Sequence, residues 1–219
     1  FYFAAGPSGS INSVNDGVLL ADAPATATAD VYTVDYSTTT GLYNRWANGH
    51  GDPFAYPDMR TNDAKALTYT TPPLETDMQI TGHPIAHLWV SADAEDADFF
   101  VYLEEVAPGG YSRYITEGTL RASHRALNDA PWNTFGLPFH RGFEADMLPL
   151  PVGGAPVELV IALQPTSNVF DAGHRVRLTV TGADADTFLT PHQDPPPTVT
   201  VHCSPDAPSH VILPLIPAP

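Results

Sequence analysis

Ser167, Asp171 and His174 fall together in the segment TSNVFDAGHRVRLTVTG (residues 166–182). These are the three residue types that acyl-transfer hydrolases combine. A working set, however, is gathered from separate parts of a chain, with the serine on a sharp turn, a base within hydrogen-bond reach and an oxyanion hole beside it. Here Asp171 and Gly173 read as turn residues. His174 opens a strand on the same face as Val176 and Leu178, which predicts a half-buried histidine bonded to a neighbouring carbonyl. Ser167 and Asn168 suit a strand-to-turn transition, where short polar side chains bond the local backbone. GPSGS (residues 6–10) approaches the G-x-S-x-G elbow, but Ser10 stands at its last glycine and no strand–turn–helix context surrounds it. No catalytic residue is expected in this chain.

Metal chemistry is not expected either. The acid runs SADAEDADFF (residues 91–100) and GADADTF (residues 182–188) offer the oxygen ligands calcium prefers, yet neither has the spacing of a dedicated calcium loop. They read as Asp-rich turns on an acidic surface. The nine histidines and the lone Cys203 offer no zinc set, and no cofactor is implied. Cys203 reads as an ordinary strand thiol. The remaining concentration of chemically versatile side chains is the stretch 121–147, with His124, Arg125, Trp132, Phe135, Phe139, His140, Arg141, Phe143 and Met147 in a chain otherwise short of cations. Tryptophan and arginine are the residues that most often carry interface energy. The expectation is therefore an interface, with His124, Arg125, Trp132, Phe135, His140, Arg141 and Phe143 as its candidates; the alternative is that these aromatics plug an open end of the fold.

The elements that position these residues are strands. Twenty-three prolines and sixteen glycines in 219 residues are more than helices absorb, and nowhere does a helical period persist. In HRVRLTV, Val176, Leu178 and Val180 face one way and Arg175, Arg177 and Thr179 the other, the period of two of a half-buried strand. Arg175 and Arg177 should then matter less than the valines and leucine. TVTVHC repeats the pattern with Val199, Val201 and Cys203. DFFVYLEEV, the turn at Pro108-Gly109 and YSRYITEGTLRA form a hairpin, MQITGHPIAHLWVSA a bent strand pair with Trp89 in the core, and DVYTVDYS (residues 30–37) the best early strand. Residues 47–58 read as a loop. About eight short strands predict an all-β fold, a jelly-roll-like, galactose-binding-like β-sandwich over residues 66–219, preceded by an irregular linker segment over residues 1–65. The longest connection runs over residues 121–156.

A formal charge of −16 and a pI near 4.6 argue against nucleic acid, whose phosphates require a basic surface, and against anionic membranes. No apolar run approaches the roughly 20 residues of a membrane helix, so a soluble chain is expected, in the cytoplasm or the periplasm. The sequence has neither an initiator methionine nor a start signal, so it is expected to be cut from something longer.

Four passages, in order, resemble the C-terminal domain of the X-Pro dipeptidyl-peptidase and cocaine esterase family of serine hydrolases. They are the entry strands from ALTYTTPPL to EEVAPGG with the D-x-D-F step at Asp96 to Phe99, then YITEGTLRASHR, then LQPTSNVFDAGHRVRLTVTGADAD, and the closing HCSPDAPSHVILPLIP. The resemblance implies a noncatalytic β-sandwich packed on an α/β-hydrolase catalytic domain of the same parent protein, stabilising it and shaping its active-site mouth. Self-association into a homo-oligomer stays open. The parent would be a serine hydrolase of X-Pro dipeptidyl-peptidase, acyl esterase or acylase type. The alternative is a free-standing carbohydrate- or ligand-binding β-sandwich module, which a row of exposed aromatics on one sheet face would favour.

Overall fold

A computed structural model describes residues 1–46 and 54–217; most of the loop expected over residues 47–58 lies outside them. Three strands precede a short helix: β1 (Tyr2–Ala4), β2 (Gly17–Leu20), β3 (Thr28–Thr33) and α1 (Arg60–Asp63). There follow β4 (Leu67–Thr70), β5 (Met78–Gly82), β6 (Ile85–Ala92), β7 (Asp98–Val106) and β8 (Ser112–Arg121). After the long connection come β9 (Val157–Ala162), β10 (Thr166–Phe170), β11 (Arg175–Thr181), β12 (Thr198–Ser204), β13 (Ala207–Pro208) and β14 (His210–Ile212). The fold is an all-β sandwich, with fourteen strands among the described residues where about eight were expected.

One hydrogen-bonded path runs β13-β12-β6-β14-β1-β2-β4-β11-β7-β8, with β3 on β12 and β9 on β6. β1 pairs with both β14 and β2, so it links the half built on β6 and β12 to the half built on β11 and β7. A single core draws Leu88, Val90 and Leu159 from the first half and Leu103, Leu178 and Val180 from the second. The first 33 residues supply three strands to this architecture: β1 joins β14 and β2, β2 runs parallel to β4, β3 pairs with β12, and Phe3, Leu19 and Tyr32 are buried in the shared core.

The chain changes sheet at Gly82. β5 and β10 form a separate pair, widened by the C-terminal segment, whose Pro214 and Ile216 exchange backbone bonds with Thr81 and Gln79. Gly82 holds φ +134°, a conformation that side chains oppose. The β7–β8 hairpin turns on Pro108-Gly109 as expected: Gly110 donates to the carbonyl of Ala107 and carries the positive φ of a three-residue loop.

Alternation fixes which residues are inside. Val176, Leu178 and Val180 are buried, as are Val199, Val201 and Cys203. Burial pushes the Cys203 thiol up to about 12, helped by the negative charge of Asp30, which leaves it inert at neutral pH. Two expectations are overturned. Trp89 is not a core residue: on β6 the inward positions are Ala86, Leu88, Val90 and Ala92, so Trp89 shares the half-exposed outer face with His87 and Ser91. Arg177 does not lie on a less important face: it and Thr179 are fully buried, because α1 and the loop around Ser10 cover the outer side of β11.

Candidate functional site

The structure separates Ser167, Asp171 and His174 by role. Ser167 sits within β10, not at a strand end, and its Oγ lies 3.0 Å from Thr81 Oγ1 on β5. His174 Nδ1 lies 2.9 Å from Glu105 Oε1, a carboxylate where a carbonyl was expected. Asp171 contributes its backbone N–H to the same Glu105 oxygen at 3.1 Å, and Arg113 Nη2 donates to the other. The ligand atoms of Glu105, Asp171 and His174 come within 4.8 Å of one another. With a guanidinium, an amide and an imidazole already on Glu105, the cluster is an ion-pair knot closing the 171–173 turn against β7. Burial opposes ionisation of Glu105, but Arg113, the Asp171 amide and His174 outweigh it and hold the carboxyl below its ordinary range.

Register brings together another pair that sequence reading missed. Ser91 Oγ on β6 and His202 Nε2 on β12 are 2.9 Å apart, within reach for a nucleophile and base. Burial lowers the pKa of His202. Among the described residues no carboxylate bonds its other nitrogen, and Ser91 stands on a strand face, not on a turn, so the activating geometry of a triad is missing. Ser8 is tied to Asp16 and Ser10 inside its own loop.

The acid runs are more internal than expected. Asp96 accepts from the amide and hydroxyl of Ser123 at 2.9 and 2.7 Å, Asp98 pairs with Arg121, and the fully buried Asp184 accepts from Thr40 and Tyr102. Their oxygens are satisfied by protein donors.

The connection 121–156 is pinned at its base. Arg125 donates to the carbonyls of Ala122 and Leu148, and burial lowers its pKa. The two ring nitrogens of His140 lie 3.2 and 2.8 Å from the carbonyl oxygens of Ala126 and Val160, and Asn128 Oδ1 accepts from the Arg141 amide. His124 sits in a one-turn 3₁₀ segment with Nδ1 buried and unpartnered. From this frame the aromatics project outward. Trp132 is 61% exposed and edge-packed on Phe139 at 5.0 Å; Phe135 is 88% exposed; Phe143 is 59% exposed beneath the guanidinium of Arg141, itself paired to Asp146. Leu127, Met147 and Leu148 are exposed beside them. Leu42, Tyr43, Trp46, Phe54 and Leu189 are exposed as well, Leu189 fully so, and Trp46 packs edge-on against Phe188 at 5.7 Å.

Residues 1–212 match the family described as the X-Pro dipeptidyl-peptidase C-terminal non-catalytic domain. The chain is 42% identical over 206 residues to a Mycobacterium bovis protein whose name proposes a serine esterase, covering 92% of this chain and 32% of that protein. It is 27% identical over 233 residues to the cocaine esterase of a Rhodococcus species, covering 98% of this chain and 37% of the esterase. The fold superposes with TM-score 0.67 on a CocE/NonD family hydrolase from Staphylococcus aureus at 15% identity, over 98% of this chain and 36% of the other. The chain thus spans about a third of the length of the curated relatives it matches.

Proposed function

Since the chain belongs to the family of X-Pro dipeptidyl-peptidase C-terminal non-catalytic domains, we propose that it serves a serine hydrolase by packing on an α/β-hydrolase unit of the same longer protein, stabilising that unit and shaping the mouth of its active site. The observation that carries this reading is the outward display of Trp132, Phe135 and Phe143 on a connection whose base is fixed by Arg125 and His140. Large aromatics left in water by a pinned loop lack a covering surface. An anchored loop also loses little conformational entropy on docking. Phe135 moreover holds φ +56°, an uncommon conformation for a bulky residue. The longer protein would act by acyl transfer on an ester, amide or X-Pro peptide, with its nucleophile outside this chain.

The alternative of a carbohydrate-binding module draws less support, because all the exposed aromatics among the described residues (Tyr43, Trp46, Phe54, Tyr111, Trp132, Phe135, Phe143) lie outside strands and form no row on a sheet face. Trp132→Ala separates the readings. In the longer hydrolase it should lower activity or domain association, while the melting temperature of the isolated chain stays within about a degree. A variant in which the isolated chain loses several degrees and activity merely follows would assign Trp132 to the fold and remove the proposed interface.

A further inference from the structure

The outer face of β4, β11 and β7 is buried. Thr70, Arg177 and Glu104 stand side by side in register across these strands, all fully buried. The cover is α1 with residues 38–46 and 54–59, and it adheres through polar contacts, the small apolar cluster of Met59, Phe100 and Tyr102, and ring contacts of Tyr56 with Tyr114 and Trp46 with Phe188. The main core lies on the opposite face of the same strands.

Two buried carboxyls feel one guanidinium here, and only Asp63 is bonded to it. Arg177 Nη1 donates to Asp63 Oδ2 at 2.8 Å and Thr179 Oγ1 to Asp63 Oδ1 at 3.2 Å. Arg177 also donates to Thr70 and, across to the N-terminal loop, to Ser10. Glu104 receives less: Ser112 Oγ donates to its Oε2 at 2.7 Å, and its Oε1 is buried without a donor, next to the Asp63 carboxyl, to which the protonated acid can donate. A bare carboxylate oxygen in a dry site is costly, and protonation removes most of that cost. Burial first, then the negative charge of Asp63, holds the Glu104 carboxyl well above the ordinary range, against Arg177 and Ser112, which act the other way. Burial raises Asp63 too, with Arg177 opposing. Burial raises Tyr114, opposite Glu104 on β8, as well, so it adds no charge to the site.

We propose that Glu104 is a proton latch: as the neutral acid it holds α1 and the adjoining cover on the sheet, and loss of its proton opens the cover while the core between the two halves stays shut. Direction follows from linkage. In the open form Glu104 is an ordinary solvated carboxyl, so opening becomes about tenfold easier per pH unit between the ordinary carboxylate range and the raised value of the closed form, then levels off. The cover carries the exposed Leu42, Tyr43 and Trp46, so the latch governs the placement of an apolar part of the surface.

Amide hydrogen exchange from pH 5 to 9, corrected for intrinsic rates, tests this. Reporters in the cover are the amides of Met59, bonded to the Ser112 carbonyl, and Ala66, bonded to that of Asp63; Leu178 and Val180 report on the core. Protection of the cover should fall with pH while the core amides hold. In Glu104→Gln the ratio of cover protection to wild type should climb by about tenfold per pH unit over the lower part of the range. Ser112→Ala removes the hydroxyl that favours the ionised form of Glu104, leaves the Asp63–Arg177 pair in place, and should extend the fall of cover protection to higher pH, which keeps the test open if the glutamine variant does not fold. Cover and core falling in parallel, or the profile unchanged in a folded variant, overturns the latch.

Discussion

Asp63 and Arg177 meet at 2.8 Å with neither side chain touching solvent. The contact ties α1 to β11, residues distant in sequence, and it makes the polar side of β11 as dependent on burial as the apolar side. Removing one partner of a buried ion pair leaves the other uncompensated, at about 3–5 kcal/mol, whereas replacing both by apolar groups of similar volume is often neutral. Arg177→Leu should therefore lower unfolding free energy by about that amount in urea titration, and Arg177→Leu/Asp63→Leu should recover most of it. Equal losses in the single and double variants would show that the pair does not act as a unit.

Leu178 on the opposite side of β11 is fully buried among the core residues. Leu178→Ala should cost about 2–5 kcal/mol through lost transfer energy and the cavity left behind. The same measurement on Trp89→Ala, on the half-exposed face of β6, should give the smaller change per buried atom removed.

The knot around Glu105 predicts an acid limb in the stability profile. Its folded pKa is depressed, so the stabilisation is present above the ordinary carboxylate range and is lost as pH falls through the folded value. Arg113→Gln removes the guanidinium that offsets burial. Chemical denaturation at successive pH values should then show wild type losing more stability than the variant between about pH 5 and pH 3. Parallel profiles would dissociate Glu105 from acid unfolding.

Serine reactivity provides a direct check on the absence of acyl chemistry in this chain. Ser91 has a histidine 2.9 Å away but no turn to present it, Ser167 bonds the Thr81 hydroxyl, and Ser8 is held by Asp16 and by the hydroxyl and amide of Ser10. None should be labelled by a fluorophosphonate probe under conditions that label an active serine hydrolase to completion. Mass-spectrometric recovery of the probe on Ser91 would convert the Ser91–His202 pair into a working dyad.

The two-residue alternation of HRVRLTV and TVTVHC made one face of each strand legible, because burial of that face is a local property of the pattern. Burial of the other face depends on what covers it, and nothing within HRVRLTV announces α1. The readable signal lay one strand over: in DFFVYLEEV both parities are apolar, with Phe99, Val101 and Leu103 facing the core and Phe100 and Tyr102 facing the cover, the mark of a strand buried on two sides. Trp89 stands in an apolar run that suggests the core, whereas its parity with His87 and Ser91 points outward. The stretch 121–147 stood out by composition, but that its aromatics project outward while Arg125 and His140 turn in follows only from contacts with residues 148 and 160. Ser91 and His202 are joined purely by strand register, which no single segment encodes.

The His140 contact on Val160 has one more consequence. β9 pairs with β6 alone among the named strands, so it is the last strand on its side, and an open strand edge is a template on which another chain can add. By placing an imidazole on the Val160 carbonyl, the long connection occupies a bonding position that a foreign strand would need. The loop that displays Trp132 and Phe135 in this way also occupies one bonding position on the β9 edge, so exposed aromatics and a partly closed backbone edge belong to the same segment.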